Sequence, residues 1–120
     1  MPTREDAGEE RKARLRADLR IAMKERRTIE AGVLRALIAA LDNAEAPPAP
    51  AGQTGAVSQD FHSGAAEIER LWLSQAQVQA LLLAEIQERE SVAAELERLG
   101  HSDRAEALRT EAQLVRRYLD

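Results

Sequence analysis

The chain has 120 residues, of which 44% are hydrophobic and 32% charged, and its formal net charge is −4. It contains no cysteine, which excludes disulfides, thiolate metal sites and cysteine nucleophiles. Aromatic residues make up only 2%, so the core has to be built from Leu, Ala, Val and Ile. Together with the abundance of strong helix formers, this composition predicts a single all-α domain.

The N-terminal half predicts a helical hairpin over residues 10–45, preceded by a polar segment, 1–9, that we expect to be frayed. Its first helix, 10–26, has the narrow apolar stripe of a helix on the outside of a bundle. Its second helix, 29–45, has a wide apolar face and a candidate N-cap in Thr28. Met23 lies in the first stripe, and Ile29 opens the apolar face of the second helix.

Residues 46–66 interrupt the helical pattern, and the stretch 46–57 alone holds three of the four prolines and two of the six glycines. Proline cannot continue a helix and glycine weakens one, so we predict a Pro/Gly/Ala-rich linker. Phe61 and His62 lie late in this linker and are candidates to pack back onto the bundle.

A second helical hairpin is predicted over residues 67–120. Ser74 and Gln77 have the spacing of a capping box at the start of a helix over 75–99, whose apolar stripe ends at Leu99. Gly100 should stop this helix in a left-handed conformation. A tight turn then leads to a helix over 103–119, and such a short connection implies antiparallel packing.

The chain offers few groups for catalysis or metal binding. Its two histidines, His62 and His101, lie in the linker and in a turn, without the spacing of a helical metal site. No glycine-rich phosphate loop and no nucleophile-elbow serine is present. We therefore predict no catalytic residue, no metal and no cofactor. The N-terminus is too charged for a secretory signal, and the apolar runs are too short to span a bilayer, so we expect a cytoplasmic protein without membrane contact.

A basic stripe is the one feature that points to a partner. Lys12, Arg16, Arg20 and Lys24 recur every four residues, and the segment 11–27 holds eight Lys/Arg against two acids. The stripe is either a solvated helix face or a surface that contacts nucleic-acid phosphates. No aromatic residues interleave with it for base stacking, so any such contact would be independent of sequence.

Two segments resemble the GatB/YqeY-like family. The first, residues 15–45, carries Ala-Met-Lys at 22–24, Leu-Arg at 34–35 and Asn-Ala-Glu at 43–45. The second, residues 83–119, carries Glu85 and Arg89, a Leu-Gly turn followed by Asp103, and a closing Tyr-Leu at 118–119. The sequence departs from the family at Arg27, where members commonly have Asp. Longer members also continue beyond the Tyr-Leu with a further small helical subdomain, whereas this sequence ends at Asp120.

The resemblance implies an α-helical domain. Family members are stand-alone bacterial proteins of unsettled function, or the tail of the B subunit of the tRNA-dependent amidotransferase, where the tail is thought to hold tRNA. Stand-alone members often inherit the label of carbon–nitrogen ligase with glutamine as amide donor.

From the stripe and the resemblance together we expect a non-catalytic accessory module that binds tRNA or another RNA. The residues expected to contact phosphates are Lys12, Arg16, Arg20, Lys24, Arg27 and Arg35. The alternative is a protein-interaction or structural module. One form of this alternative is a homodimer whose interface is the Leu/Ala stripes of the last two helices. An independent amidotransferase would need a nucleophile and an ammonia route that the sequence does not suggest.

Overall fold

A computed structural model of the chain describes residues 6–47 and 70–120. These residues form four helices and no strand: α1 (Ala7–Lys24), α2 (Thr28–Glu45), α3 (Gln75–Arg98) and α4 (Ser102–Arg116). α1 packs on α2 and α3 on α4, and the two hairpins pack together as one bundle. The predicted all-α class and the pair of hairpins are confirmed. The predicted linker, apart from Ala46 and Pro47, lies outside the described residues, as do Phe61 and His62.

The first helix begins earlier than the sequence pattern predicted. The carboxylate of Asp6 accepts a hydrogen bond from the backbone N–H of Glu9 at 3.0 Å, which caps the helix from residue 7 onward. The prediction of a frayed segment was therefore wrong for residues 6–9. α1 ends at Lys24, and Arg26 then adopts a left-handed conformation (φ +60°) in the reversal that leads into α2.

The predicted cap of α2 is wrong, because Thr28 is the first residue of the helix rather than the residue before it. Arg27 occupies the N-cap position and supplies no side-chain hydrogen bond to the helix. Glu30 lies in the first turn, where a carboxylate interacts favourably with the positive end of the helix dipole.

The capping box of the third helix is confirmed. The backbone N–H of Gln77 donates to the Ser74 hydroxyl at 3.1 Å, and the backbone N–H of Ser74 donates to the Gln77 side chain at 2.8 Å. Gly100 has φ +85°, as predicted for the residue that stops this helix. α4 ends at Arg116, three residues before the predicted end.

The core is aliphatic, as the composition predicted. Its largest fully buried apolar side chains come from all four helices: Leu15, Leu34, Leu37, Leu41, Val78, Leu82, Ile86 and Val115. Three residues assigned to apolar stripes are instead exposed: Met23 (52%), Ile29 (61%) and Leu99 (61%). Each lies beside a hairpin turn, at or next to the end of its helix.

The end of the second hairpin is fastened to α1 by polar contacts. The Arg11 guanidinium donates to the backbone carbonyl of Tyr118. The Arg14 guanidinium donates to the carbonyl of Arg117 at 2.8 Å and lies 4.8 Å from the centre of the Tyr118 ring. The Tyr118 hydroxyl in turn donates to Asp18 at 2.6 Å. These contacts join α1, in the first hairpin, to the end of the second hairpin. Among the described residues, no helix is long and apolar enough to cross a membrane.

Candidate nucleic-acid interface

The four cations of the basic stripe do not share one exposed face. An α-helix advances about 100° per residue, so a spacing of four residues turns each successive side chain about 40° further around the axis. Lys12 and Lys24 therefore differ in direction by about 120°. Lys12 lies at the edge of the buried side of α1, whereas Arg16, Arg20 and Lys24 are exposed.

Lys12 is buried and ion-paired, which corrects its assignment as a surface contact for phosphate. Its side chain is 1% exposed, and its Nζ lies 2.6 Å from Glu45 Oε1, 2.8 Å from Asp42 Oδ1 and 3.5 Å from Glu9 Oε1. Burial alone would lower the pKa of Lys12, but hydrogen bonds to Asp42 and Glu45 outweigh it and raise the pKa above its ordinary value. The ammonium group is charged and held inside the protein.

The surroundings of Lys12 indicate a structural role. Glu45 is only 4% exposed, and its carboxylate lies against Gly8, where a larger residue would collide with it. Arg70 extends the cluster, with its Nε 3.7 Å from Glu45 Oε1. A backbone hydrogen bond also links the two segments here, since the N–H of Leu71 donates to the carbonyl of Glu45 at 2.7 Å. The cluster connects the start of α1, the end of α2 and the segment that enters α3.

Arg16 and Arg27 are exposed but already paired. Arg16 lies 3.2 Å from Glu9, and this hydrogen bond is the main reason that the pKa of Glu9 is lowered. Arg27 lies 2.7 Å from Glu25 and 3.3 Å from Glu30. Both arginines are about half exposed, so a phosphate could reach them only in competition with these carboxylates.

Arg20, Lys24 and Arg35 are exposed and form no ion pair within the described residues. We refer to these three residues as the cationic row. The contacts of Lys12 with Asp42 and Glu45 fix the antiparallel register of α1 and α2, which places Arg20 level with residues 34 to 37. Helical geometry puts Arg35 on the flank of α2 next to α1. The hairpin thus brings Arg35 close to the part of the stripe that remains accessible.

One further exposed cation, outside the predicted phosphate contacts, lies at this end of the hairpin. Arg26 lies in the α1–α2 turn, is exposed and forms no ion pair among the described residues. It belongs to the cation-rich segment 11–27, but its position at a turn rather than in the four-residue repeat kept it out of the stripe. Arg11 and Arg14 belong to the same segment, and the structure uses both to bind backbone carbonyls.

An open cleft of about 250 Å³ lies where α1, the start of α2 and the chain end meet, and it is lined by Arg14, Asp18, Ile21, Arg27, Glu30, Arg117 and Tyr118. Its charged groups form ion pairs with one another, since Arg27 and Arg117 both pair with Glu30. Burial and the hydrogen bond to Asp18 raise the pKa of Tyr118 far above its ordinary value, so its phenol is neutral at physiological pH. The cleft is a structural junction.

The described part of the chain contains no group of three or more His, Asp or Glu residues arranged to hold a metal ion. His101 is exposed in the α3–α4 turn. No family model, curated protein or solved structure matches the chain.

Proposed function

We propose that the chain is a non-catalytic accessory module that binds tRNA or another RNA through the cationic row. The observation that carries this proposal is that Arg20, Lys24 and Arg35 are exposed and have no carboxylate partner in the described residues, in a protein whose net charge is −4. On an acidic protein, cations that are not neutralised internally are the groups free to release counterions from a nucleic-acid backbone.

The resemblance to the GatB/YqeY-like family supports the same function, since the family tail domain is thought to hold tRNA. Lys24 and Arg35 belong to the motifs that carry the resemblance, Ala-Met-Lys and Leu-Arg. The contact would be to phosphates rather than bases, because the cationic row includes no aromatic side chain on which a base could stack. The module would thus position an RNA without reading its sequence.

The proposal assigns no chemistry to the chain. The carbon–nitrogen ligase label of the family belongs to enzymes in which other domains perform the glutamine-driven amidation. Release of ammonia from glutamine by the purified chain would contradict this part of the proposal.

A filter-binding titration against total tRNA at several salt concentrations tests the RNA contact. The variant carries Arg20→Gln, Lys24→Gln and Arg35→Gln, and leaves Lys12 in place because its removal would disturb the fold. Each lost phosphate contact should reduce the slope of log K against log salt by about 0.7 to 0.9. Loss of all three contacts should therefore reduce the slope by about 2 to 3.

A control removes three positive charges from the other hairpin, with Arg98→Gln, Arg104→Gln and Arg116→Gln; all three positions are exposed, and Arg98 and Arg116 pair with Glu95 and Glu90. We expect the control to keep nearly the full slope. An equal decrease of the slope in both variants would show that RNA binding depends only on net charge. Absence of tRNA binding at low salt would contradict the proposed RNA contact.

A further inference from the structure

Helix α1 ends in a backbone turn that places an arginine in a left-handed conformation. The N–H of Arg26 donates to the carbonyl of Met23 at 3.2 Å, and the N–H of Arg27 donates to the carbonyl of Ala22 at 2.8 Å. These two bonds form a Schellman motif, whose left-handed residue is usually glycine. Here that residue is Arg26, with φ +60°.

The second hairpin makes the same turn with glycine. At the end of α3, the N–H of Gly100 donates to the carbonyl of Glu97 at 3.1 Å, and the N–H of His101 donates to that of Leu96 at 2.8 Å. Gly100 has φ +85° and occupies the position that Arg26 has in the first hairpin. A side chain raises the energy of a left-handed residue, whereas glycine adopts this conformation freely. The backbone at the end of α1 therefore favours glycine over arginine.

The side chain of Arg26 does not contribute to the fold in the described part of the chain. It is exposed and forms no hydrogen bond or ion pair with any described residue. The adjacent Arg27, in contrast, pairs with Glu25 and Glu30. A residue that is kept in a strained conformation without an internal contact is typical of a functional site.

We infer, on the basis of the proposed RNA binding, that Arg26 is a fourth phosphate contact and that the binding surface continues from the cationic row around the α1–α2 turn. Lys24 is two residues before Arg26, and Arg20 lies about 6 Å before Lys24 along the axis of α1. Because these cations are spread along the hairpin, the ligand is a continuous stretch of phosphodiester backbone rather than a single phosphate group.

Moving the arginine between the two equivalent turns tests this contact. One variant carries Arg26→Gly, and a second combines Arg26→Gly with Gly100→Arg, which keeps the net charge at −4 but places the cation on the other hairpin. In the tRNA titration, both variants should reduce the slope of log K against log salt by about 0.7 to 0.9, as expected for one lost phosphate contact. Arg26→Lys should keep the slope of the parent protein, since an ammonium group also contacts phosphate.

Thermal unfolding separates a ligand contact from a structural role. Arg26→Gly should raise the thermal midpoint by about 2 to 5 °C, because glycine removes the strain of a left-handed arginine. A lower midpoint would show that the arginine stabilises the turn, and would overturn the inference.

The parent protein and the triple variant of the cationic row separate this inference from the proposed function. Absence of tRNA binding by the parent protein at low salt, or a full slope in the triple variant, would overturn both. A reduced slope in the triple variant together with a full slope in Arg26→Gly would overturn the Arg26 contact alone. Recovery of the slope when Gly100→Arg is added would also overturn it, because binding would then depend only on net charge.

Discussion

Replacing Lys12 with methionine should destabilise the fold strongly, although Lys12 belongs by sequence to a surface stripe. The substitution keeps the length of an unbranched side chain but removes the ammonium group that lies 2.6 Å from Glu45 and 2.8 Å from Asp42. Glu45 is 4% exposed, so its carboxylate would be left in the interior without its closest counter-charge.

Breaking a buried ion pair by removing one partner costs about 3 to 5 kcal/mol. We expect about 3 kcal/mol here, at the lower end. Asp42 is 42% exposed and can be hydrated, and Arg70, 3.7 Å from Glu45, remains to neutralise part of the charge. A domain of this size is stable by about 5 to 15 kcal/mol, so the loss would be a large fraction of the total.

Urea unfolding followed by circular dichroism at 222 nm measures this loss, which should appear as a decrease of about 1.5 M in the midpoint at a slope near 2 kcal/mol/M. Lys24→Met, at an exposed position without an ion pair in the described residues, is the control and should stay within about 0.5 kcal/mol of the parent protein. Adding Glu45→Gln to Lys12→Met should restore part of the stability. A loss below about 1 kcal/mol for Lys12→Met would refute the buried-pair account.

Three further predictions follow from local geometry. The phenol of Tyr118, the only tyrosine, should titrate by absorbance at 295 nm well above its ordinary pKa of about 10, because it is buried and donates to Asp18. Since the unfolded chain loses this proton at a lower pH than the folded protein does, the free energy of unfolding should fall as pH rises above about 10. Asp18→Asn should lower the titration midpoint of Tyr118. A normal midpoint in the folded protein would contradict the burial. Gly32→Ala should stabilise the protein by about 0.5 to 1 kcal/mol, because nothing lies within 4 Å of the added methyl group. Gly100→Ala should destabilise it by about 1 to 2 kcal/mol, because φ is +85° at this position. Effects of the same sign in thermal unfolding would contradict this geometry. Ser74→Ala should cost about 1 kcal/mol through loss of the capping box, and an unchanged urea midpoint would show that the cap is unimportant.

The sequence predicted those parts of the fold that depend on residues close together along the chain. The capping box of Ser74 and Gln77 and the stop at Gly100 each involve at most four consecutive residues, and both are confirmed. The two hairpins could be predicted from the helical period of the apolar residues and from the short α3–α4 turn. The start of α1 was missed because Asp6, which caps it, lies in a polar segment that carries no apolar period.

Long-range placement could not be predicted from the pattern. Lys12 is buried because Asp42 and Glu45, thirty or more residues away, lie opposite it in the hairpin. Ile29 fits the period of the core face but is 61% exposed, although Thr110 and Leu114 of α4 line an open pocket beside it. For the candidate site, the accessible part of the stripe and its closeness to Arg35 depend on the register of α1 and α2, which only the folded hairpin defines.

The most direct test of RNA binding through the cationic row is an amide chemical-shift titration of the ¹⁵N-labelled chain with unfractionated tRNA at low salt. We expect the largest changes at and around Arg20, Lys24 and Arg35, with amides of α4 little affected and with all changes reversed by added salt. Changes centred on the second hairpin, or none at all, would contradict the account.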